Sequence, residues 1–364
     1  MISYKKGIVT DIIKEDEHIE VIYVDIDGKS YKAVNYKDIT GKINLNDIVV
    51  LNTTAVELNL GTGGYHFVMY NYSNCTMNLE GLGHIMKLRY TPYQIKCLAA
   101  EEENSPYHDV FVNFKSLDNH IFIVGTLHSM IAPIVATMKY LKQDIGINYI
   151  MTDGGALPIY FSNTVSELKH KGLIKNTITI GHAFGGDLEC INIYTGLIAA
   201  KEILKSDVTI ISMGPGIVGT GTKYGFTGIE QGYIIDAINN LGGFPVAVPR
   251  ISFHDSRIRH RGISHHTITV FSEITNTKSN LVLPHLEKDK EEFLMEQIMK
   301  NNIDKKHNVI FEDGELVFNA MKDFDLKTTT MGRSIKDDPE YFLTLGAVGN
   351  YVIKLIKERE GYNV

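Results

Sequence analysis

The sequence predicts an α/β protein, with a mostly parallel, doubly wound sheet of flavodoxin or Rossmann-like type behind a small N-terminal β-barrel of OB or SH3-like kind. Three observations carry that prediction. Five short β-branched and aromatic segments, separated by turn chemistry, crowd into residues 7–70. From residue 120 on, apolar strand-length runs alternate with amphipathic stretches, the rhythm of βαβ units. Small and reactive residues then follow each of those apolar runs. The expected domain limits are 1–74 for the barrel and 75–364 for the α/β domain.

The barrel segments are 7–13 (GIVTDII), 20–25 (EVIYVD), 29–35 (KSYKAVN), 47–51 (DIVVL) and 66–70 (HFVMY). Alternating polarity marks them as half-buried strands, and Asp-Gly at 27–28 is a hairpin turn. The LGTGGY stretch leads into the last of them. In the second part, HIFIVG, INYIMTDGG, TITIGHAFGGD, DVTIISMGPG and FPVAVPRISF read as strands buried on both faces. APIVATMKYLKQ, SNTVSELKHKG and YTGLIAAKEILKSD read as the helices between them. EEFLMEQIMKNN, HNVIFE and EYFLTLGAVGNYVIKLIKE continue as helix, strand and terminal helix. The run after "RGISHH", Thr267 to Val270, reads as a further strand.

Composition bounds the function. The chain has 364 residues, 44% hydrophobic and 22% charged, with 32 glycines against 9 prolines, as expected of a globular protein with many glycine turns. Its length suits two domains. A formal net charge of −7 gives no basic footprint for nucleic acid. Three widely spaced cysteines, Cys75, Cys97 and Cys190, fit a reducing, cytoplasmic compartment better than a disulfide framework. The apolar runs are strand-length and the N-terminus has no apolar leader core, so neither a membrane segment nor a signal peptide is expected.

The polar signals recur in one place, directly after each strand of the sheet: His128 in GTLHS, Asp153 in TDGG, His182 and Asp187 in GHAFGGD, Gly214 and Gly216 in GPG, and Arg250 in PRISFHD. Ligands of open α/β sheets bind outside the carboxyl ends of the strands, where such loops converge. Gly214, Gly216 and Gly219 form G-x-G-x-x-G, yet the helix start falls near Thr227 and the next strand ends in Pro249 rather than an acidic ribose ligand. A nicotinamide site is therefore disfavoured. The glycines can still turn backbone N–H groups toward an anion, with Thr220 and Thr222 adding donors; a purely structural turn is the competing reading.

PRISFHDSRIRHRGISHHT is the densest stretch. Arginine forks match phosphate and carboxylate bidentately, so Arg250, Arg259 and Arg261, with Arg333 from a later loop, are expected to clamp an anion. His128, Asp153, His182, Asp187 and His265 are the acid–base or metal candidates. Asp187 could instead cap the following helix, and Asp153 could be a turn former. His265 and His266, read as strand neighbours, should point to opposite faces, and His265, nearer the loop, is taken as the one in the cleft. No nucleophile elbow and no H-E-x-x-H pattern is present, which disfavours serine hydrolase and zincin chemistry.

The blocks LNTTAVELNLGTGGYHFV, GHAFGGDLECINIYTGLIAAKEIL, MGPGIVGTGTKYGFTGIEQG and RHRGISHHT resemble, over essentially the whole chain, an uncharacterised bacterial family of domains of unknown function. That resemblance implies no activity. GTGTKYGFTGIEQGYIIDAINNLGGFPVAV is locally similar to glycine- and betaine-reductase-type selenoproteins, which implies a flavodoxin-like loop. Gly221 stands where that pattern has cysteine, and Val218 precedes Gly219 where selenocysteine would stand, so redox chemistry does not transfer.

The resulting expectation is a cytoplasmic enzyme of hydrolytic or transfer type that binds a small phosphate- or carboxylate-bearing metabolite. A divalent metal is an allowed cofactor of unassigned ligands. Neither nucleic acid nor membrane is expected as a partner, and self-association into a homo-oligomer is left open. The alternative is a non-catalytic ligand-sensing or assembly module using the same crevice.

Overall fold

The computed structural model describes residues 1–60 and 63–361, so Gly61 and Thr62 of the LGTGGY stretch lie outside the described residues. The chain divides into two compact units, Met1–Cys97 and Leu98–Val364.

The first unit contains a closed barrel of β1 (Tyr4–Glu15), β2 (Ile19–Ile26), β3 (Lys29–Tyr36), β4 (Ile48–Asn52) and β5 (His66–Asn71). Its order is β1-β2-β3-β5-β4, with β4 returning to β1. All pairings are antiparallel except β3 with β5. Alternation along β2, with Ile22 and Val24 fully buried, fills the barrel together with Val9, Ala33, Val49 and Leu51. Closure leaves no long edge exposed. A short hairpin of β6 (Ile85–Lys87) and β7 (Ile95–Cys97) belongs to the same unit, which runs to Cys97 where the barrel strands alone suggested 74.

The second unit is built on an eight-stranded sheet with every pairing parallel. Its strands are β8 (Ile121–Val124), β9 (Ile147–Thr152), β10 (Asn176–Ile180), β11 (Leu188–Cys190), β12 (Val208–Met213) and β13 (Phe244–Ala247). After a two-stranded ribbon of β14 (Ile251–Ser252) and β15 (Gly262–Ile263), β16 (Asn280–Pro284) and β17 (Asn308–Glu312) complete it. The spatial order is β11-β10-β9-β12-β8-β13-β16-β17.

Burial on both faces explains why the strands read as unbroken apolar runs. In β8, Ile121 and Ile123 join one core cluster while Phe122 and Val124 join the other. The helices Ile131–Leu141 after β8 and Asn163–His170 after β9 pack on the first face, together with the terminal helix Pro339–Arg359. Glu230–Asn240 after β12 and Lys288–Lys300 after β16 pack on the second. Chain leaving β12 therefore departs toward the face opposite to the one taken from its neighbours β8 and β9.

Two local expectations are corrected. Residues 265–269, expected to be a strand, form a helix continued by the wider turn Val270–Ile274. Tertiary packing overrides the β-branched propensity there: Thr267, Thr269, Val270 and Phe271 are buried, and Thr269 Oγ1 donates back to the His265 carbonyl at 2.9 Å. The chain between β10 and β11 makes no helical crossover. It doubles back within residues 181–187, so that Leu188 pairs beside Ile178.

Candidate functional site

The loop after β13 begins at Val248, whose N–H still donates to the Val124 carbonyl at 3.0 Å, and turns through Pro249 into Arg250. Ile251 then pairs with Ile263, and the Ser264 N–H donates to the Arg250 carbonyl. This closure brings Arg250 beside the start of the 265–269 helix, with Arg257, Arg259 and His260 on the excursion between. From β12, residues 218–227 form a tight turn in which the Thr220 N–H donates to Gly225 and the Thr227 N–H to Val218. Gly219 faces His266 so closely that a Cβ would lie 3.1 Å from the ring Cε1, which is why a glycine stands there. Between these loops lies a cavity of about 210 Å³ lined by Gly219, Arg250, Arg257, Arg259, His260 and His266, with Leu127 from the β8 loop and Met331 at its border.

Asp255 organises the guanidiniums. Arg257 Nε donates to its Oδ1 at 2.9 Å and Arg257 Nη2 to Oδ2 at 2.8 Å, while Arg250 Nη2 reaches Oδ2 at 3.4 Å. Arg333 Nη2 stands 3.8 Å from the same oxygen. The Arg257 hydrogen bonds hold the Asp255 carboxyl far below the usual carboxylate range. Three guanidiniums, Arg250, Arg257 and Arg259, line the cavity, and Arg250 and Arg257 share the Asp255 carboxylate, so positive charge exceeds negative there.

The histidines gather rather than diverge. Ring centroids of His265 and His266 are 4.0 Å apart, His260 lies 4.9 Å from His265 and 5.4 Å from His266, and His266 stacks on Phe226 at 4.0 Å. The expectation of opposite faces fails because the pair stands in a helical turn, not a strand. His266 lines the cavity, so the assignment of His265 as the cleft-facing ring is corrected. Burial, then the Arg250 and Arg257 charges, pushes His260 down to about 3. Burial and the neighbouring His265 push His266 to about 4, and burial with Arg259 lowers His265. All three are neutral imidazoles at pH 7. The Nε2 atoms of His265 and His266 are buried without a hydrogen-bond partner, and His260 Nδ1 lies 2.8 Å from Ser264 Oγ. Guanidinium forks plus neutral imidazoles can bind an anion and accept a proton beside it.

A family model described as a protein of unknown function (DUF3866) matches residues 32–349, a span that starts within β3, leaves out β1 and β2, and takes in the entire cavity. The chain belongs to the DUF3866 family. No curated protein and no solved structure matches it.

In this DUF3866 member the other expected residues fall at several places. His128, Asp153, His182 and Gly216 all stand at the carboxyl ends of their strands, on the same side of the sheet. His128 is engaged structurally: its Nε2 lies 2.6 Å from Ser162 Oγ, which also accepts the Val165 N–H as a helix cap, and burial pushes the imidazole to about 4. Asp153 Oδ2 accepts the His182 N–H at 3.2 Å, packed over Gly181 at a φ of +62° that a glycine adopts readily. Asp187 is not brought to the crevice. Because the 181–187 loop doubles back, it stands at the amino end of β10, bound to the Thr177 N–H at 2.7 Å and to Lys169 at 2.6 Å; it caps no helix.

Gly214 packs on Met151, and nothing lies within 4 Å of a Cβ built on Gly216. Thr220 and Thr222 hydroxyls bond each other at 2.9 Å and close the turn onto Gly225, so they are engaged within it. Arg261 lines a separate cavity of about 410 Å³. Arg333 spans between the two regions, its Nε donating to Asp338 at 2.9 Å.

Two groups escaped the sequence reading. Asp255 stands inside the arginine stretch, and a lone carboxylate among guanidiniums was the available signal. Glu230 opens the helix after the glycine loop and accepts from Thr152 Oγ1 at 2.6 Å. Burial, with the Asp153 charge added, pushes its carboxyl up to about 7. Among the described residues one group has metal-ligand spacing, His254, Asp338 and Glu340, and two of its members, His254 and Glu340, line the second cavity.

Proposed function

We propose that this DUF3866 chain is an enzyme of hydrolytic or transfer type whose cavity at 219, 250, 257, 259, 260 and 266 binds a small phosphate- or carboxylate-bearing molecule. One observation carries the reading: three guanidiniums, two of them sharing the single Asp255 carboxylate, line a cavity together with neutral imidazoles. The cavity, at about 210 Å³, suits a phosphate-sized group rather than a whole dinucleotide. His266, with an unpartnered Nε2, is the favoured proton acceptor. A net charge of −7 and the local arginine excess together favour a small anion over nucleic acid.

The test is thermal unfolding with inorganic phosphate, sulfate and small carboxylates against sodium chloride of equal ionic strength. Binding to the native state alone stabilises by about 2.7 kcal/mol at 100 times Kd. A rise in Tm specific to the anion, reduced in Arg259→Ala, supports the proposal; identical curves in phosphate and chloride overturn it. The non-catalytic sensing reading is favoured by one observation, that His128 and Asp187 are engaged in structural contacts. Ligand-induced stabilisation without turnover of any phosphate ester or anhydride would select it.

We read the finer architecture in the same spirit. Helices on both faces and a reversal of strand order at the centre of the all-parallel sheet support a doubly wound, flavodoxin or Rossmann-like sheet. The closed order β1-β2-β3-β5-β4 with β3 parallel to β5 supports an OB barrel over an SH3-like one. A cytoplasmic setting is supported by three cysteines that form no disulfide. No helix among the described residues is long and apolar enough to cross a membrane.

A further inference from the structure

We propose that His254 Nδ1, Asp338 Oδ1 and Glu340 Oε2 form a binding site for a divalent first-row transition metal ion. It goes beyond the anion cavity, because His254 and Glu340 line the second cavity, with Lys290 and Phe293 on its wall. The three ligand atoms lie within 4.8 Å of one another. Nδ1 is 3.3 Å from Glu340 Oε2 and 4.0 Å from Asp338 Oδ1. Ligands on bonds of about 2.1 Å stand about 3.0 to 3.4 Å apart, so the first pair already matches and the second closes by a small rotation of His254. That side chain is 48% exposed and has the freedom to move.

The carboxylates are arranged as ligands usually are. Asp338 is fully buried, and its Oδ2 accepts from Ser252 Oγ at 2.8 Å and Arg333 Nε at 2.9 Å. Glu340 is 2% exposed, and its Oε1 pairs with Lys290 at 2.9 Å. Each therefore has one oxygen fixed by an outer partner, as metal-ligating carboxylates do. The other oxygen of each, Asp338 Oδ1 and Glu340 Oε2, is buried without a hydrogen-bond partner and is directed at the same point as His254.

Two duller explanations leave those oxygens unexplained. Asp338 precedes the helix Pro339–Arg359, yet its side chain makes no capping hydrogen bond. A protonated His254 could donate from Nδ1 to one carboxylate only, which would strand the other buried oxygen at a cost of the order of 1–3 kcal/mol or more. A cation satisfies both. One imidazole nitrogen with two carboxylate oxygens suits Mn²⁺, Fe²⁺, Co²⁺ or Zn²⁺ better than Ca²⁺, and leaves further coordination positions for water or a ligand.

The experiment uses the full chain, stripped with chelator and titrated with Mn²⁺ while free Mn²⁺ is followed by electron paramagnetic resonance. Co²⁺ and its visible d–d bands report the ligand field, and Ca²⁺ is the control. The expected result is a single Mn²⁺ per chain, at least about 10-fold weaker in His254→Ala and lost in Glu340→Gln. His254 is exposed, so its variant keeps its melting temperature and decides the matter if Glu340→Gln does not fold. Absence of stoichiometric Mn²⁺ and Co²⁺ binding by the folded wild type, or binding unchanged in His254→Ala, overturns the proposal.

Discussion

Asp255→Asn is the perturbation that reads the arginine cluster most directly. Asp255 is 7% exposed and is the carboxylate shared by Arg250, Arg257 and Arg333. Asparagine keeps the shape and one acceptor but removes the charge, leaving guanidiniums to face one another. Breaking a buried pair from one side costs about 3–5 kcal/mol. Arg257 is 42% exposed and can turn to solvent, so the lower end, about 3 kcal/mol, is expected. The sign with pH follows from the direction of the shift. The native carboxyl titrates far below its ordinary 3.8, so its contribution is complete above that value and is lost as pH falls further. The gap between wild type and variant is therefore constant from pH 5 upward and narrows below about pH 4. An anion should occupy the vacated charge position, so phosphate stabilises the variant more than the wild type. The assay is urea unfolding at constant ionic strength, with phosphate or chloride. Equal stability of the two proteins, or equal stabilisation by phosphate, would rule out this role for Asp255.

Other outcomes follow from the same structure. Glu230→Gln should stabilise at pH 8 by up to about 3 kcal/mol, because the native carboxyl at about 7 lies above its ordinary 4.5 and ionisation in the buried site opposes folding as pH rises through that window; no gain is expected at pH 4 in the same unfolding assay. Arg259→Ala, an exposed residue on the cavity wall, should leave the melting temperature without ligand within about 2 °C and weaken phosphate binding about 10-fold by calorimetry. Gly314→Ala should destabilise by about 3 kcal/mol or more in chemical denaturation, since its Cβ would sit 1.9 Å from the Leu343 carbonyl of the terminal helix.

Much of the fold is legible in the chain because burial on both faces writes itself as continuous apolar runs. IFIV at 121–124 and VTIISM at 208–213 cannot be half-exposed, and they form the centre of the sheet. The barrel strands are legible for the opposite reason, alternation against one core. What escapes is local sequence outvoted by packing. Thr267 to Val270 has strand propensity, yet its side chains are buried as a helix against the 230–240 side of the sheet. Asp187 follows a strand and so reads as a crevice residue, but the short return between parallel neighbours carries it to the other end of β10. The gathering of guanidiniums around one cavity is legible in outline, since charge of one sign concentrated on one loop is a local signal. The division of the arginine stretch between two cavities is not, because Arg259 and Arg261 stand on either side of the buried His260 and line different cavities. Nor is the His254, Asp338 and Glu340 group, assembled from loops far apart in sequence with no spacing motif to mark it.

The proposed anion site is the cavity at the carboxyl ends of β12 and β13. A crystal structure of the chain grown with inorganic phosphate and without sulfate tests it most directly. The expected result is a phosphate within hydrogen-bonding distance of Arg250 or Arg257, Arg259 and His266 Nε2. Phosphate bound instead at Arg261 and Lys290, or a cavity left to water at a phosphate concentration that shifts the melting temperature, would contradict it.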